Sequence, residues 1–143
     1  MKQPAFFDTN IFVYADDDSD PHRQDSAIEL VVRYQEQGLA IISLQVLQEY
    51  FAISTRKLGV DPELAQKKVE LMTGLRVVRF VEDDIIRAIE LHRLHRISFW
   101  DAMIVHAAKI GGADVLFSED LQDGGRLAGI RVVNPFRKSS HTS

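Results

Sequence analysis

The sequence predicts an α/β fold in which a mainly parallel sheet of about five strands is covered by helices on both faces. Short segments rich in Val, Ile and Phe alternate with segments whose apolar residues recur at helical spacing. The short segments are almost continuously apolar, which is typical of strands buried on both faces of a parallel sheet. With 143 residues, 45% of them apolar, and no evident linker or repeat, the chain is expected to form one domain.

The five predicted strands share a short length and a high content of β-branched and aromatic residues. They occupy residues 5–7, 39–42, 77–81, 115–117 and 130–133. Because predicted helices separate these strands, neighbouring strands are expected to run parallel, with the connecting helices on the faces of the sheet.

The segments between the strands carry apolar residues spaced three and four apart. Ala27, Leu30, Val31 and Tyr34 form one helical stripe, and further helices are predicted at 44–58, from Pro62 onward with Asp61 as cap, at 82–94 and at 99–110. Gly111 and Gly112 are expected to end the last helix.

Two segments are predicted to lie outside the regular elements. Residues 16–21 read as a polar, solvated loop, because they combine four aspartates with a serine and a proline. The tail at 137–143 is expected to be flexible, which leaves residues 1–136 as the folded domain.

The bulk composition excludes several classes of protein. The chain has no cysteine, so it has neither disulfides nor thiolate metal sites, and it suits a reducing cytoplasm. It has no apolar run of the ~20 residues that a membrane span needs, and no N-terminal segment resembling a signal peptide. The formal net charge of −4 argues against a dedicated nucleic-acid binder, although a bound metal would partly neutralise an acidic site. We therefore expect a cytoplasmic protein without a membrane partner.

Four acidic residues, Asp8, Glu49, Asp101 and Asp120, lie beside apolar segments, where a carboxylate is costly unless it is paired or bound to a cation. Asp8 and Asp120 each follow a predicted strand, and ligands of open α/β sheets bind beyond the carboxyl ends of the strands. Taken singly, each is more simply a turn residue, because Asp bonds its own backbone and starts turns.

The other two acids lie on predicted helices. Three of the four neighbours of Glu49 at helical spacing are apolar, so either its carboxylate faces a buried site or its stem packs at a helix edge. Asp101 follows Ser98 as in a capping box and suits the helix dipole, yet it also heads an apolar stripe that begins at Ile104. Four converging carboxylates with little basic chemistry beside them predict a site for a hard divalent metal.

Other side chains give weaker signals. His92 and His95 lie on one predicted helix without a third ligand, so a solvated face is favoured over a zinc or phosphate site. His106 is interpreted as structural. Trp100 is interpreted as a packed core aromatic, with stacking on a nucleic-acid base as the alternative.

Five segments, taken in order, resemble the motifs of PIN-domain nucleases. They are Phe7-Asp8-Thr9-Asn10-Ile11 with Tyr14, Leu47-Gln48-Glu49-Tyr50-Phe51, Ser98-Phe99-Trp100-Asp101-Ala102 with Ala107-Ala108, Phe117-Ser118-Glu119-Asp120-Leu121, and the closing strand in 130–136. Ser118 stands where the family usually has Thr, which keeps the hydroxyl. The resemblance spans nearly the whole chain, and the compact length is similar to that of the VapC branch, the toxins of prokaryotic toxin–antitoxin pairs.

The resemblance implies a three-layer α/β/α nuclease that uses Mg²⁺ or Mn²⁺ to cut RNA. Asp8 and Asp101 would be the principal metal carboxylates, and Glu49 and Asp120 would complete the acidic pocket, with Asp123 as the alternative for the fourth position. Thr9, Asn10 and Ser98 would orient the carboxylates or the attacking water. Without metal, repulsion among the carboxylates is expected to make some of them take up protons.

The resemblance also implies two protein partners. A small antitoxin would plug the pocket, and a second copy of the chain would form a homodimer, for which Ile28, Val32 or Phe51 offers a plausible apolar face. The alternatives are a catalytically silent PIN-like module that binds RNA or protein, and a DNA nuclease or phosphatase that uses the same pocket.

Overall fold

The computed structural model describes residues 3–121 and 123–136, so the predicted tail at 137–143 lies outside the described residues. Twelve elements follow one another in the described part of the chain. They are β1 (Ala5–Phe7), α1 (Thr9–Asp16), α2 (Pro21–Glu36), β2 (Ala40–Ser43), α3 (Leu44–Arg56), α4 (Pro62–Met72), β3 (Arg76–Val78), α5 (Glu82–His95), α6 (Phe99–Ile110), β4 (Val115–Phe117), β5 (Arg126–Leu127) and β6 (Ile130–Val133).

The strands form one sheet in the order β3-β2-β1-β4-β6-β5. Every neighbouring pair is parallel except β5 and β6, which are antiparallel. The predicted α/β class with a mainly parallel sheet is therefore confirmed. The sheet has one strand more than predicted. This additional strand is β5, which has only two residues, both with side chains at least partly exposed.

The helices form two groups around this sheet. Helix α1 contacts α2 and α3, and α3 contacts α4, whereas α5 and α6 pack on each other. Helix α6 contacts β2, β4 and β6, and α2 and α3 contact β2. The central residues Phe6, Ile41 and Leu116 are at most 2% exposed, so the sheet core lies between the two helical layers.

Helix starts follow the predicted capping chemistry. Asp61 caps α4 by accepting a hydrogen bond from Glu63 N at 3.1 Å, and Pro62 occupies the first turn. Ser98 caps α6 by accepting from Asp101 N at 3.0 Å. None of the helices in the described part of the chain has the length and apolar character needed to cross a bilayer.

Residues 9–16 form helix α1, an element that was not predicted, and its last residue, Asp16, belongs to the segment predicted as a loop. Asp16, predicted to be solvated, ends this helix with a largely buried carboxylate that accepts hydrogen bonds from Tyr50 Oη and Lys68 Nζ. These bonds tie α1 to α3 and α4. The solvated-loop interpretation of Asp16 is therefore wrong, although residues 17–20 do connect α1 to α2 as a polar turn.

Candidate functional site

The site is built at the junction of β1 and β4. Phe7 pairs with Phe117 in the strand register, so Asp8 and Ser118 leave the sheet side by side. Asp8 N donates to Phe117 O at 3.0 Å, and Ser118 Oγ donates to Asp8 Oδ2 at 2.8 Å. The chain passes from β1 to β2 and β3 on one side, whereas β4 begins the other half of the sheet. The carboxyl end of such a switch point is where open α/β sheets bind ligands.

A cavity of about 110 Å³ lies beyond this junction. Its lining combines the four predicted acids with polar and apolar neighbours, namely Asp8, Thr9, Asn10, Gln45, Glu49, Ile53, Trp100, Asp101, Ile104 and Asp120. Helix α3 contributes Glu49, α6 contributes Asp101, and the segment after β4 contributes Asp120. No Lys, Arg or His belongs to this lining within the described part of the chain.

Asp8 is the most buried of the four acids, with 4% of its surface exposed. It is the N-cap of α1, and its Oδ1 accepts a hydrogen bond from Thr9 N at 2.7 Å. Burial raises the pKa of Asp8 to about 7, even though the hydrogen bonds from Ser118 and Thr9 act to lower it. Repulsion from Asp120 and Glu49 raises the pKa further but is a smaller cause. The expected proton uptake is thus driven mainly by loss of hydration, rather than by repulsion as the sequence suggested.

Glu49 is held by a hydroxyl and an amide. Thr9 Oγ1 donates to Glu49 Oε1 at 2.6 Å, and Gln45 Nε2 lies 3.3 Å from Glu49 Oε2. Thr9, 3% exposed, therefore fixes one carboxylate oxygen, while Gln45 supports the other from one turn earlier on α3. Gln45 is not among the residues that the sequence singled out, although its position four residues before Glu49 was a usable signal.

Asp101 combines the cap-region position with a place in the cavity. Its backbone N–H donates to Ser98 Oγ at 3.0 Å in the first turn of α6, and its side chain lines the cavity. Partial burial raises the pKa of Asp101 above its usual value, hydrogen bonding to Ser98 lowers it, and the nearby Glu49 raises it. The two interpretations of Asp101 are thus compatible in the structure.

Asp120 is oriented from two sides. Asn10 Nδ2 donates to Asp120 Oδ2 at 3.0 Å, and Asp120 N donates to Ser118 Oγ at 3.2 Å. Partial burial and then repulsion from Asp101 raise the pKa of Asp120. Asp123 instead accepts a hydrogen bond from Asn134 N at 2.7 Å after β6. Asp120 is therefore the acid of this segment that the structure places in the cavity lining.

Ser118 links these interactions, because its hydroxyl donates to Asp8 and accepts from Asp120 N. The resemblance implied orienting roles for Thr9, Asn10 and Ser98 but not for Ser118. The sequence carried a signal, because Ser118 keeps the hydroxyl of the Thr that is usual in the fourth motif. In the structure Ser118 is completely buried.

Arg23 binds the residue that precedes Asp120. Arg23 Nη1 lies 2.7 Å from Glu119 Oε2 and donates to Tyr14 Oη at 2.6 Å, and its guanidinium lies 5.0 Å from the centre of the Tyr14 ring. Tyr14 Oη in turn donates to Glu119 Oε1 at 2.8 Å. Arg23 thus neutralises Glu119, the neighbour of Asp120, and is not part of the cavity lining.

The donor set fits a hard divalent cation with few protein ligands. All the charged donors in the lining are carboxylates, and none of them has a basic partner there. Among residues 3–121 and 123–136, no group of three or more His, Cys, Asp or Glu side chains is arranged so that it could hold a metal ion. Mg²⁺ needs no such group, because it keeps several waters and binds proteins through one or two carboxylates.

The side chains of Trp100, His106 and His92 have different environments in the structure. Trp100 is 60% exposed and lines the cavity, so its interpretation as a packed core aromatic is wrong. His106 is structural as predicted, because it is 7% exposed and its Nε2 lies 2.9 Å from Asp84 Oδ1. On α5, His92 is exposed and its Nδ1 lies 2.5 Å from Ile97 O, which agrees with a solvated face.

Comparisons with known proteins agree with this architecture. The family model of the PIN domain matches residues 5–122. No curated protein sequence matches the chain significantly. Among solved structures, the chain is similar to a toxin–antitoxin complex from Klebsiella pneumoniae, with 19% identity, a TM-score of 0.68, and coverage of 94% of this chain and 99% of that chain.

Two other solved structures give similar matches. One is Mycobacterium tuberculosis VapC20, described as a toxin that cleaves the sarcin-ricin loop, with 24% identity, a TM-score of 0.64, and coverage of 81% of this chain and 91% of that chain. The other is DNA-bound VapBC from Salmonella typhimurium, with 21% identity, a TM-score of 0.64, and coverage of 92% and 97%. At these identities the likeness establishes the fold.

Proposed function

This chain belongs to the PIN domain family, and from that premise we propose that it is a metal-dependent endoribonuclease of the VapC toxin type. The observation that carries the proposal is the convergence of Asp8, Glu49, Asp101 and Asp120 on one cavity whose lining has no cationic side chain in the described residues. Four neighbouring carboxylates do not stabilise a fold by themselves, because each one raises the free energy needed to ionise the others.

Asp8 and Asp101 are the residues that would hold Mg²⁺ or Mn²⁺. Both oxygens of Asp8 already accept one hydrogen bond each, from Thr9 N and Ser118 Oγ, and an ionised carboxylate has about four acceptor sites, so coordination remains possible. A bound divalent ion would supply a lowered pKa for coordinated water and stabilisation of charge on the phosphodiester oxygens.

The chain's own residues position the reaction around that centre. Thr9 fixes one oxygen of Glu49, and Asn10 fixes one oxygen of Asp120, so these two carboxylates face the cavity in defined orientations. Correctly oriented carboxylates can accept protons from an attacking water and hold it in line with the phosphate. Ser98 contributes by fixing the first turn of α6, which carries Asp101.

The decisive experiment is RNA cleavage by the purified protein with Mg²⁺, with Mn²⁺ and with excess EDTA. We expect cleavage with either metal and none in chelator, and cleavage that persists in EDTA would overturn the metal mechanism. A DNA of the same sequence and a phosphomonoester serve as parallel substrates. Preferential hydrolysis of either one would favour the DNA nuclease or phosphatase alternative, and binding of RNA without hydrolysis would favour a silent module.

The proposal extends to partners. The similar structures from Klebsiella pneumoniae and Salmonella typhimurium are complexes of toxins with antitoxins, which supports a small antitoxin as the partner of this chain. A homodimer is supported by apolar side chains at the surface of α2 and α3, where Ile28, Val32 and Phe51 are 43%, 41% and 39% exposed. Sedimentation equilibrium should give twice the mass of the chain, and Val32→Glu should lower it; a monomeric wild-type protein would contradict the homodimer.

A further inference from the structure

A second cavity, of about 210 Å³, adjoins the acidic one. Gln45 in the first turn of α3 lines both cavities. Its Nε2 lies 3.3 Å from Glu49 Oε2 and 3.3 Å from the backbone oxygen of Trp100, so the side chain bridges α3 and the start of α6. Gln45 is thus shared by the two cavities, which places the second cavity next to the acidic one.

The second cavity is chemically unlike the first. Its walls include Phe80, Ile85 and Met103, and no charged side chain lines it within the described residues. Two amides, those of Gln45 and Gln48, supply polar contacts. Gln48 is exposed, and its amide has no protein hydrogen-bond partner in the described part of the chain, so both its donor and its acceptor are open to a ligand.

The aromatic wall is fixed in place. Phe80 packs edge-to-face on His106, with ring centroids 5.4 Å apart and an interplanar angle of 66°. His106 Nε2 lies 2.9 Å from Asp84 Oδ1, and Asp84 Oδ2 accepts a hydrogen bond from Val81 N at 2.8 Å. The ring of Phe80 therefore packs on a histidine that is itself fixed to α5, and it needs little ordering when a ligand binds.

We propose that this cavity binds one nucleobase of a single-stranded RNA whose adjacent phosphate lies at the acidic cavity, an inference that rests on the proposed function. A base is flat, neutral and aromatic, with adjacent hydrogen-bond donors and acceptors on its edge. Phe80 matches its face, the uncharged walls match its neutrality, and the Gln48 amide matches its edge. Unpaired bases are recognised in this way, by stacking and by edge hydrogen bonds.

The charge of the molecule gives contacts to a base a larger share of the affinity. Most nucleic-acid binders gain affinity from Lys and Arg on phosphates. This chain has a net charge of −4, and the described lining of its acidic cavity contains no cation. Contacts to a base beside the acids compensate for the missing phosphate contacts and make cleavage depend on sequence.

Methionine methyl NMR tests the proposal without requiring catalysis. The chain has three methionines, of which Met103 lines the proposed base cavity and Met72 lines a different cavity between α1 and α4. Protein labelled with ¹³C at the methionine methyls is titrated in EDTA with adenosine, guanosine, cytidine and uridine. We expect at least one nucleoside to shift the Met103 resonance saturably while Met72 stays unchanged. No shift of Met103, or equal shifts of both, would overturn the proposal.

Two variants sharpen the test. Phe80→Leu keeps an apolar wall but removes the aromatic face, so nucleoside affinity should fall roughly tenfold. Gln48→Ala changes an exposed side chain that cannot unfold the protein, and it should reduce discrimination among the four nucleosides. Gln66→Ala, an exposed glutamine on α4, is the matched control and should change neither property. Unaltered affinity and discrimination in Phe80→Leu and Gln48→Ala would refute the assignment.

The two proposals fail separately in these experiments. Nucleoside binding at Met103 without RNA cleavage would refute the nuclease function and leave the base site standing. The base site alone would be refuted if RNA is cleaved at the same positions by wild type and Gln48→Ala, while no nucleoside shifts the Met103 resonance.

Discussion

The buried carboxyl of Asp8 makes the stability of the metal-free protein depend on pH. Burial raises the pKa of Asp8 from 3.8 to about 7 in the folded protein. Because the folded state holds this proton more tightly than the unfolded state, Asp8 contributes stability at acid pH. That contribution is lost as the pH rises through about 7. Asp8→Asn removes the titration while keeping an oxygen that can accept the hydrogen bond from Thr9 N.

The size of the effect follows from the pKa change. A rise from 3.8 to about 7 corresponds to about 4 kcal/mol in full. Linkage places more than half of this loss, roughly 2–3 kcal/mol, between pH 5 and pH 8. For a chain of this length, that loss lowers the melting temperature by roughly 5–10 °C. The melting temperature of Asp8→Asn should not show this part of the fall between pH 5 and pH 8.

Thermal unfolding in EDTA from pH 5 to pH 8 gives the melting temperatures of wild type and Asp8→Asn. The difference between them isolates Asp8, because the other titrating groups are present in both proteins. Asp20, the partly exposed cap of α2, gives a matched control, since Asp20→Asn makes the same chemical change without a buried carboxyl. Adding Mg²⁺ at pH 8 should restore the wild-type melting temperature but not raise that of Asp8→Asn. Parallel pH profiles for wild type and Asp8→Asn would refute the reasoning.

Further predictions concern the other carboxylates. Asp101→Asn should cost at most a modest ~0.3–1 kcal/mol through the helix dipole, yet lower Mn²⁺ affinity in calorimetry and RNA cleavage by orders of magnitude; unchanged binding and rate would leave Asp101 as a cap-region residue alone. The Asp8→Asn, Asp101→Asn double variant should cleave little worse than either single variant, because both act on one ion, and additive losses in the same assay would contradict this. Glu49→Gln should abolish cleavage with an unchanged or slightly raised melting temperature in EDTA, whereas a large fall would show that Glu49 is a structural partner of Thr9.

Much of the fold could be predicted because its elements carry strong local signals. The strands at 5–7, 115–117 and 130–133 were predicted with the bounds that the structure has, since each is a short apolar run. The start of α4 at Pro62 and the end of α6 at Ile110 followed from cap and glycine chemistry. The strand predicted at 77–81 is instead β3, Arg76–Val78, because hydrophobicity alone does not show where sheet pairing stops.

Helix α1 was missed because its sequence is a poor helix former. Thr9, Asn10, Ile11 and Val13 all have low helix propensity. Tertiary contacts stabilise the helix instead: Ile11 is fully buried, and Asp8 caps the first turn. The side-chain bonds of Asp16 to Tyr50 and Lys68 at the other end join residues distant in sequence, which local patterns cannot reveal.

The acidic residues of the candidate site could be predicted from the sequence, whereas the hydrogen bonds that orient them mostly could not. The resemblance selected all four carboxylates that line the cavity, but the sequence could not choose between Asp120 and Asp123. That choice depends on the hydrogen bond from Asn10, which is 110 residues away in the chain. The exposure of Trp100 was also out of reach, because an aromatic residue next to a helix start is compatible with either side of the helix.

The position of Asp8 gives an independent argument for a cation. As an N-cap, this residue needs only an oxygen that accepts a hydrogen bond, and Asn or Ser caps helices as well as Asp does. At 4% exposure, an aspartate carries a desolvation cost at neutral pH that those residues avoid. Helix capping therefore explains the side-chain oxygen but not the charge. A group that stabilises the ionised form accounts for the charge, and no Lys, Arg or His of the described cavity lining can supply it. The divalent ion proposed at Asp8 would meet that need, and the change in melting temperature on adding Mg²⁺ at pH 8 tests for it.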